Sequence, residues 1–125
     1  MSRLLVDTRA LLWWLADDPS LSPAAREAIA DPTNEPLVSA ASVWEIAIKR
    51  SLGKLKAPDD LPDRVVDEGF AWLPISAQHA RRVGDLPMHH GDPFDRILVA
   101  QAVIERLPVV TTDARFAEYG VDVRW

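Results

Sequence analysis

The chain has 125 residues, of which 48% are apolar and 26% charged, with a formal net charge of −5. That length suits one domain, residues 1–125, able to bury its own core. The absence of cysteine removes disulfides and thiolate zinc sites, and the acidic balance opposes a nucleic acid held on a broad basic surface.

Residues 3 to 6 form the first strand candidate, and Thr8 to Ala16 reads as a helix whose run Ala10-Leu11-Leu12-Trp13-Trp14-Leu15 is apolar all round. Such a helix must be covered on more than one side. The same stretch carries Asp7 and Arg9 in its middle, so it fails as a signal peptide; no other segment suits a bilayer, and a cytoplasmic protein is expected. Ser22-Pro23 starts a helix through Ala30, with serine as cap and proline at the first helical position. Pro32 and Pro36 bound a loop, Leu37-Val38 is a short strand, and a helix from Ser39 or Ala40 to about Leu52 closes on Gly53.

A further helix lies within Pro58 to Gly69, an edge-like strand over Trp72-Leu73-Pro74-Ile75, and another helix over Ser76 to Gly84. The loop Pro87 to Gly91 precedes a strong helix, Pro93 to Arg106. Strand 108–111, a short helix after Asp113 and Val121-Asp122-Val123 complete the chain. Strands alternating with helices imply an α/β fold with a mostly parallel sheet covered by helices.

Two apolar runs end on aspartate, Leu4-Leu5-Val6-Asp7 and Val109-Val110-Thr111-Thr112-Asp113. As parallel strands they share one carboxyl edge, where α/β folds bind ligands. Glu45, Asp92 and Asp95 lie between them in sequence. Carboxylates gathered in one pocket repel each other and hold protons unless a divalent cation compensates them, so the pattern reads as a metal site. Each acid also has a local explanation. Asp7 and Asp113 suit N-caps, Asp92-Pro93-Phe94-Asp95 suits a capping box, and Glu45 suits an ion pair with Lys49 four residues on. Caps do not explain Glu45 inside Ala40-Ala41-Ser42-Val43-Trp44-Glu45-Ile46-Ala47-Ile48, where a buried acid needs a partner.

Leu5-Val6-Asp7-Thr8, Ser39-Ala40-Ala41-Ser42-Val43-Trp44-Glu45-Ile46, His90-Gly91-Asp92-Pro93-Phe94-Asp95-Arg96-Ile97-Leu98-Val99-Ala100-Gln101-Ala102 and Val110-Thr111-Thr112-Asp113 together resemble the PIN-domain toxins of the VapC type, in order and over essentially the whole chain. The resemblance implies a three-layer α/β/α domain and an Mg2+- or Mn2+-dependent endoribonuclease. It further implies neutralisation by a cognate VapB-type antitoxin, a homodimer, and contact with DNA only through the antitoxin. Asp7, Glu45, Asp95 and Asp113 match the family's acidic quartet. By that match Asp7 and Asp95 are the main metal ligands, Glu45 and Asp113 complete the shell, and Thr8 and Thr111 bond carboxylates or scissile phosphate. Asp92 belongs to a subgroup version of the motif and ranks below the quartet.

Lys49, Arg50, Lys54 and Lys56 after Glu45, and the pair Arg81-Arg82, offer either a local phosphate track or solvated helix faces. Arg96 is read as a phosphate clamp or an ion-pair partner, with neither favoured. His89 and His90 lack helical metal-ligand spacing, and zinc is set aside. Trp13, Trp14 and Trp44 are read as core or as a dimer or antitoxin surface rather than as RNA stacking platforms. A receiver-type signalling module would need an acidic pair where Asp7-Thr8 stands and a lysine where Asp113 stands; an aspartyl phosphatase would need an acid where Arg9 stands. The remaining alternative is a catalytically silent PIN-like binding module acting through its antitoxin complex.

Overall fold

Residues 2–125 are described by a computed structural model. Its strands are β1 (Ser2–Val6), β2 (Asn34–Ser39), β3 (Ala71–Leu73), β4 (Val109–Val110) and β5 (Val123–Arg124). Among the described residues they form one sheet in the order β3-β2-β1-β4-β5, and every pairing is parallel. The helices are α1 (Thr8–Leu15), α2 (Pro23–Ala30), α3 (Ala40–Ser51), α4 (Leu61–Asp67), α5 (Ala77–Val83) and α6 (Pro93–Glu105), with a 3₁₀ helix at Ala114–Tyr119.

The pleat divides the core into two. Leu4, Val6, Val38 and Val110 face one side and pack with Leu11 of α1, Ile29 of α2 and Val65 of α4. Leu5, Leu37 and Val109 face the other and pack with Leu98 and Val99 of α6 and with Phe116. The register agrees, since Leu5 lies beside Leu37 and Val109, and Val6 beside Val38 and Val110. Both faces are covered, which is why the strands read as near-continuous apolar runs. α3 closes one end, with Ile46 in the first cluster and Ala41 in the second. Residues Arg96 through Ala102 of α6 are all buried, so this helix is enclosed.

Several boundaries differ from the sequence reading. β2 begins at Asn34 and runs through Pro36, which was expected to bound a loop. β3 starts pairing only at Leu37, so the missing proline N–H breaks no bond on that side. The helix expected within Pro58 to Gly69 is α4, with proline in its first turn, but the last strand falls at Val123–Arg124 instead of Val121–Val123. Gly53 ends α3 at φ +69°, as its position predicted.

The apolar helix α1 finds its cover within the chain. Trp13 stacks obliquely on Trp125 with centroids 5.8 Å apart, and Trp14 meets Phe70 edge-on at 6.3 Å while its Nε1–H donates to Glu68. Trp13 and Trp14 are thus partly buried within the chain, against Trp125 from the opposite end of the sequence and against Phe70, neighbours that the local pattern did not reveal. Trp44 on α3 is different, 56% exposed and edge-on to Phe94 at 5.0 Å. Among the described residues, no helix is long and apolar enough to cross a membrane.

Candidate active site

Strand order reverses between β1 and β4, and this switch point is where an open parallel sheet leaves a crevice at its carboxyl edge. A cavity of about 730 Å³ lies there, lined by Asp7, Glu45, Asp92, Asp95 and Asp113 together with Thr8, Arg9, Lys49, Lys54 and Arg115. Asp7 follows β1, Glu45 stands on α3, Asp92 and Asp95 open α6, and Asp113 follows β4. Four separate parts of the chain thus deliver acids to one cleft.

Asp7 is 7% exposed and caps α1, its Oδ1 accepting from the Ala10 N–H at 2.8 Å. Burial pushes its carboxyl up to about 6, although a hydrogen bond from Thr111 opposes the shift. Asp95 sits in the first turn of α6. Burial first, and then the charges of Asp92, Glu45, Asp7 and Asp113, push it up to about 7. The expected reciprocal capping arm from Asp95 is absent: Asp92 alone caps α6, accepting from the Phe94 N–H at 2.9 Å and the Asp95 N–H at 3.4 Å.

Glu45 is 6% exposed and has two partners. Its Oε1 accepts from the Thr8 hydroxyl at 2.7 Å, and its Oε2 accepts from Lys49 Nζ at 2.6 Å. The local ion pair foreseen in the sequence is real, and it holds Glu45 inside the cleft. Thr8 also lies 3.0 Å from the Ser42 hydroxyl, which ties α1 to α3. Thr111 bonds two acids: besides Asp7, its hydroxyl oxygen accepts from the Asp113 N–H at 3.0 Å.

Asp113 caps the 3₁₀ helix through the Arg115 N–H. The Arg115 guanidinium grips the same carboxylate, with Nε 3.0 Å from Oδ1 and a terminal nitrogen 2.7 Å from Oδ2, and holds Asp113 below the usual carboxylate range. Arg115 escaped the sequence reading; a base two residues after a strand-ending acid was its only signal. Of the basic residues considered, Lys49 and Lys54 line the cleft, Arg50 pairs with Asp59, and Arg81 and Arg82 stand on α5.

Arg96 is neither a phosphate clamp nor a surface ion pair. It is 6% exposed and turns away from the acids, donating to the carbonyls of Pro87 and Val83 at 3.0 Å, with longer contacts to Leu86, His90 and the Tyr119 hydroxyl. It pins the loop between α5 and α6. That loop carries His90, whose ligand atom lies with those of Asp95 and Asp113 inside a 4.8 Å cluster. His79 is remote, its Nδ1 accepting from the Ser76 N–H at 3.0 Å.

The family model described as PIN domain matches residues 4–122. Ribonuclease VapC22 of Mycobacterium tuberculosis is 28% identical over 130 aligned residues, covering 95% of this chain and 93% of that protein. Among solved structures, VapBC2 from Rickettsia felis bound to a promoter DNA fragment superposes with a TM-score of 0.71 at 13% identity, covering 97% of this chain and 96% of that one. DNA-bound VapBC from Salmonella typhimurium gives 0.69 at 20% identity, covering 98% and 97%.

Proposed function

Because this chain belongs to the PIN-domain family, we propose that it is a divalent-metal-dependent endoribonuclease, the toxin of a toxin–antitoxin pair. The observation that carries the proposal is the meeting of Asp7, Glu45, Asp95 and Asp113 in one cleft at the sheet's switch point. The names of the relatives and the full-length likeness to two VapBC assemblies support it.

The donor set fits a hard cation. It is rich in carboxylate oxygens; burial raises both Asp7 and Asp95, and at Asp95 the neighbouring acids Asp92, Glu45, Asp7 and Asp113 add to that shift, charge that a cation would offset. In this reading Asp7 and Asp95 hold Mg2+ or Mn2+, supported by Glu45 and Asp113. When bound, such a cation supplies an activated water and offsets charge on the phosphate.

The protein's own residues do the rest. Lys49 and Thr8 fix Glu45 by its two oxygens; Thr111 bridges Asp7 and Asp113; the caps at Ala10 and Arg115 orient the two strand-ending acids, the first against the burial that raises Asp7 and the second helping Arg115 keep Asp113 ionised. Arg9, Lys54 and Arg115 on the rim offer phosphate contacts that the acidic whole does not. A VapB-type antitoxin is the partner, and the homodimer rests on the family resemblance, with Trp44 as an apolar surface still uncovered.

The test is cleavage of structured RNAs by antitoxin-free protein with Mg2+ or Mn2+, with EDTA, and with Asp7→Asn. Discrete products that need both metal and Asp7 are expected. No cleavage, together with no metal binding by calorimetry, would return the quartet to the role of helix caps and favour a silent binding module.

A further inference from the structure

Beside the cleft, the buried ring of His90 has one nitrogen without a hydrogen-bond partner among the described residues. Its side chain is only 5% exposed, its Nε2 has no hydrogen-bond partner among the described residues, and that nitrogen faces Asp95 Oδ2 at 3.6 Å. The other ring nitrogen, Nδ1, lies 2.9 Å from the Tyr119 hydroxyl.

The tautomer follows from counting the hydroxyl's partners. A phenol oxygen has two acceptor sites and one proton. Both acceptor sites of Tyr119 are engaged, one by the His90 backbone N–H and one by Arg96, each at 3.3 Å. Its proton is then free for His90 Nδ1, which must accept it. A neutral imidazole whose Nδ1 accepts carries its hydrogen on Nε2. Nε2 is the nitrogen that lies 3.6 Å from Asp95 Oδ2.

We infer that His90 is a positioning residue for Asp95: its Nε2–H, fixed in that tautomer by Tyr119, donates to Oδ2 and leaves the other carboxylate oxygen for a cation. At 3.6 Å the pair lies beyond hydrogen-bond distance, and contacts of this kind commonly tighten only in the productive complex. Arg96 gains a purpose from the same chain, since it anchors both the loop bearing His90 and the hydroxyl that sets the ring. The inference rests on the reading of Asp95 as a metal ligand. The opposite arrangement, Nε2 bare and itself a ligand, is allowed by the His90, Asp95 and Asp113 cluster alone; the engaged Tyr119 hydroxyl is what decides against it.

Long-range proton–nitrogen NMR on labelled full-length protein reads the ring directly. The expected result is hydrogen on Nε2 without metal, retained when Mg2+ is added. Hydrogen on Nδ1, or loss of the Nε2 hydrogen on adding Mg2+, would overturn the inference. Calorimetry with Mg2+ is the second readout. His90→Asn keeps a group near Tyr119 and loses the donor to Asp95, and is expected to weaken Mg2+ binding about tenfold or more, whereas His90→Gln, whose amide reaches the Nε2 position, restores it. Wild-type affinity in His90→Asn would overturn the assignment of His90 alone. Absence of Mg2+ binding by the wild-type protein would instead strike the nuclease reading with it.

Discussion

The Asp7 carboxylate caps α1 and faces the cleft at once, so neutralising it separates two effects. Folding raises this group from 3.8 to about 6, so the folded chain binds its proton more tightly than the unfolded chain. The associated stability is fully present below pH 3.8 and is lost as pH rises through about 6, a difference of about 3 kcal/mol at most. Asparagine still caps a helix but carries no charge. Asp7→Asn should therefore abolish RNA cleavage yet stabilise metal-free protein by about 1–3 kcal/mol at pH 8, with little gain at pH 4. Urea unfolding at the two pH values tests this; equal stability of mutant and wild type at pH 8 would contradict the buried-charge account. Asp95→Asn should likewise abolish cleavage. Asp92→Asn should do much less, because the Asp92 side chain is committed to the Phe94 and Asp95 N–H groups. A loss equal to that of Asp95→Asn would place Asp92 among the ligands.

At the scale of elements, α6 has both a buried body and a functional first turn. Its N-terminus is held from two sides, by the Asp92 cap and by Arg96 pulling the preceding loop onto the helix. The planar fork of arginine reaches several carbonyls that a lysine ammonium cannot serve together. Arg96→Lys is expected to cost about 1–3 kcal/mol, the penalty of leaving buried carbonyls unpaired, and to loosen the loop that carries His90. Hydrogen exchange of the amides between Val83 and Gly91 measures it; unchanged protection there would remove Arg96 from its structural role. α3 is fixed differently, through its Ser39 cap and through Glu45, which Lys49 steadies within the helix and which the Thr8 hydroxyl ties to α1.

For the whole molecule, the sheet order decides function. Because β1 and β4 are neighbours although about a hundred residues separate them, the acids after each strand meet, and the crossovers through α3 and α6 bring Glu45 and Asp95 to the same edge. The uncompensated charge gathered there opposes the fold, so a divalent cation that binds only the folded chain should stabilise it by about 2.7 kcal/mol at a hundredfold excess over its Kd. Urea midpoints with Mg2+ and with EDTA should differ accordingly, and the difference should vanish in Asp7→Asn combined with Asp95→Asn. A midpoint insensitive to Mg2+ in the wild-type protein would speak against the metal site.

The sequence alone determined what depends on neighbours along the chain. Alternating patterns set the α/β class, Ser22 and Asp92 set helix starts, and strand-ending acids marked Asp7 and Asp113 as candidates, since periodicity and caps are local. Glu45 stood out because an acid within an apolar helix is a local inconsistency that only a partner resolves. Tertiary structure decided what depends on who lies opposite. Trp125 and Phe70 partly cover the tryptophans of α1; Arg96 points into the preceding loop; Arg115 clasps Asp113; and the Tyr119 hydroxyl, twenty-nine residues from His90, lies against Nδ1 of the ring whose Nε2 faces Asp95. A side chain's type is written in the sequence, but the direction it points is set by packing against distant residues, and direction separates the acids that face this cleft from Arg96, which turns into the loop.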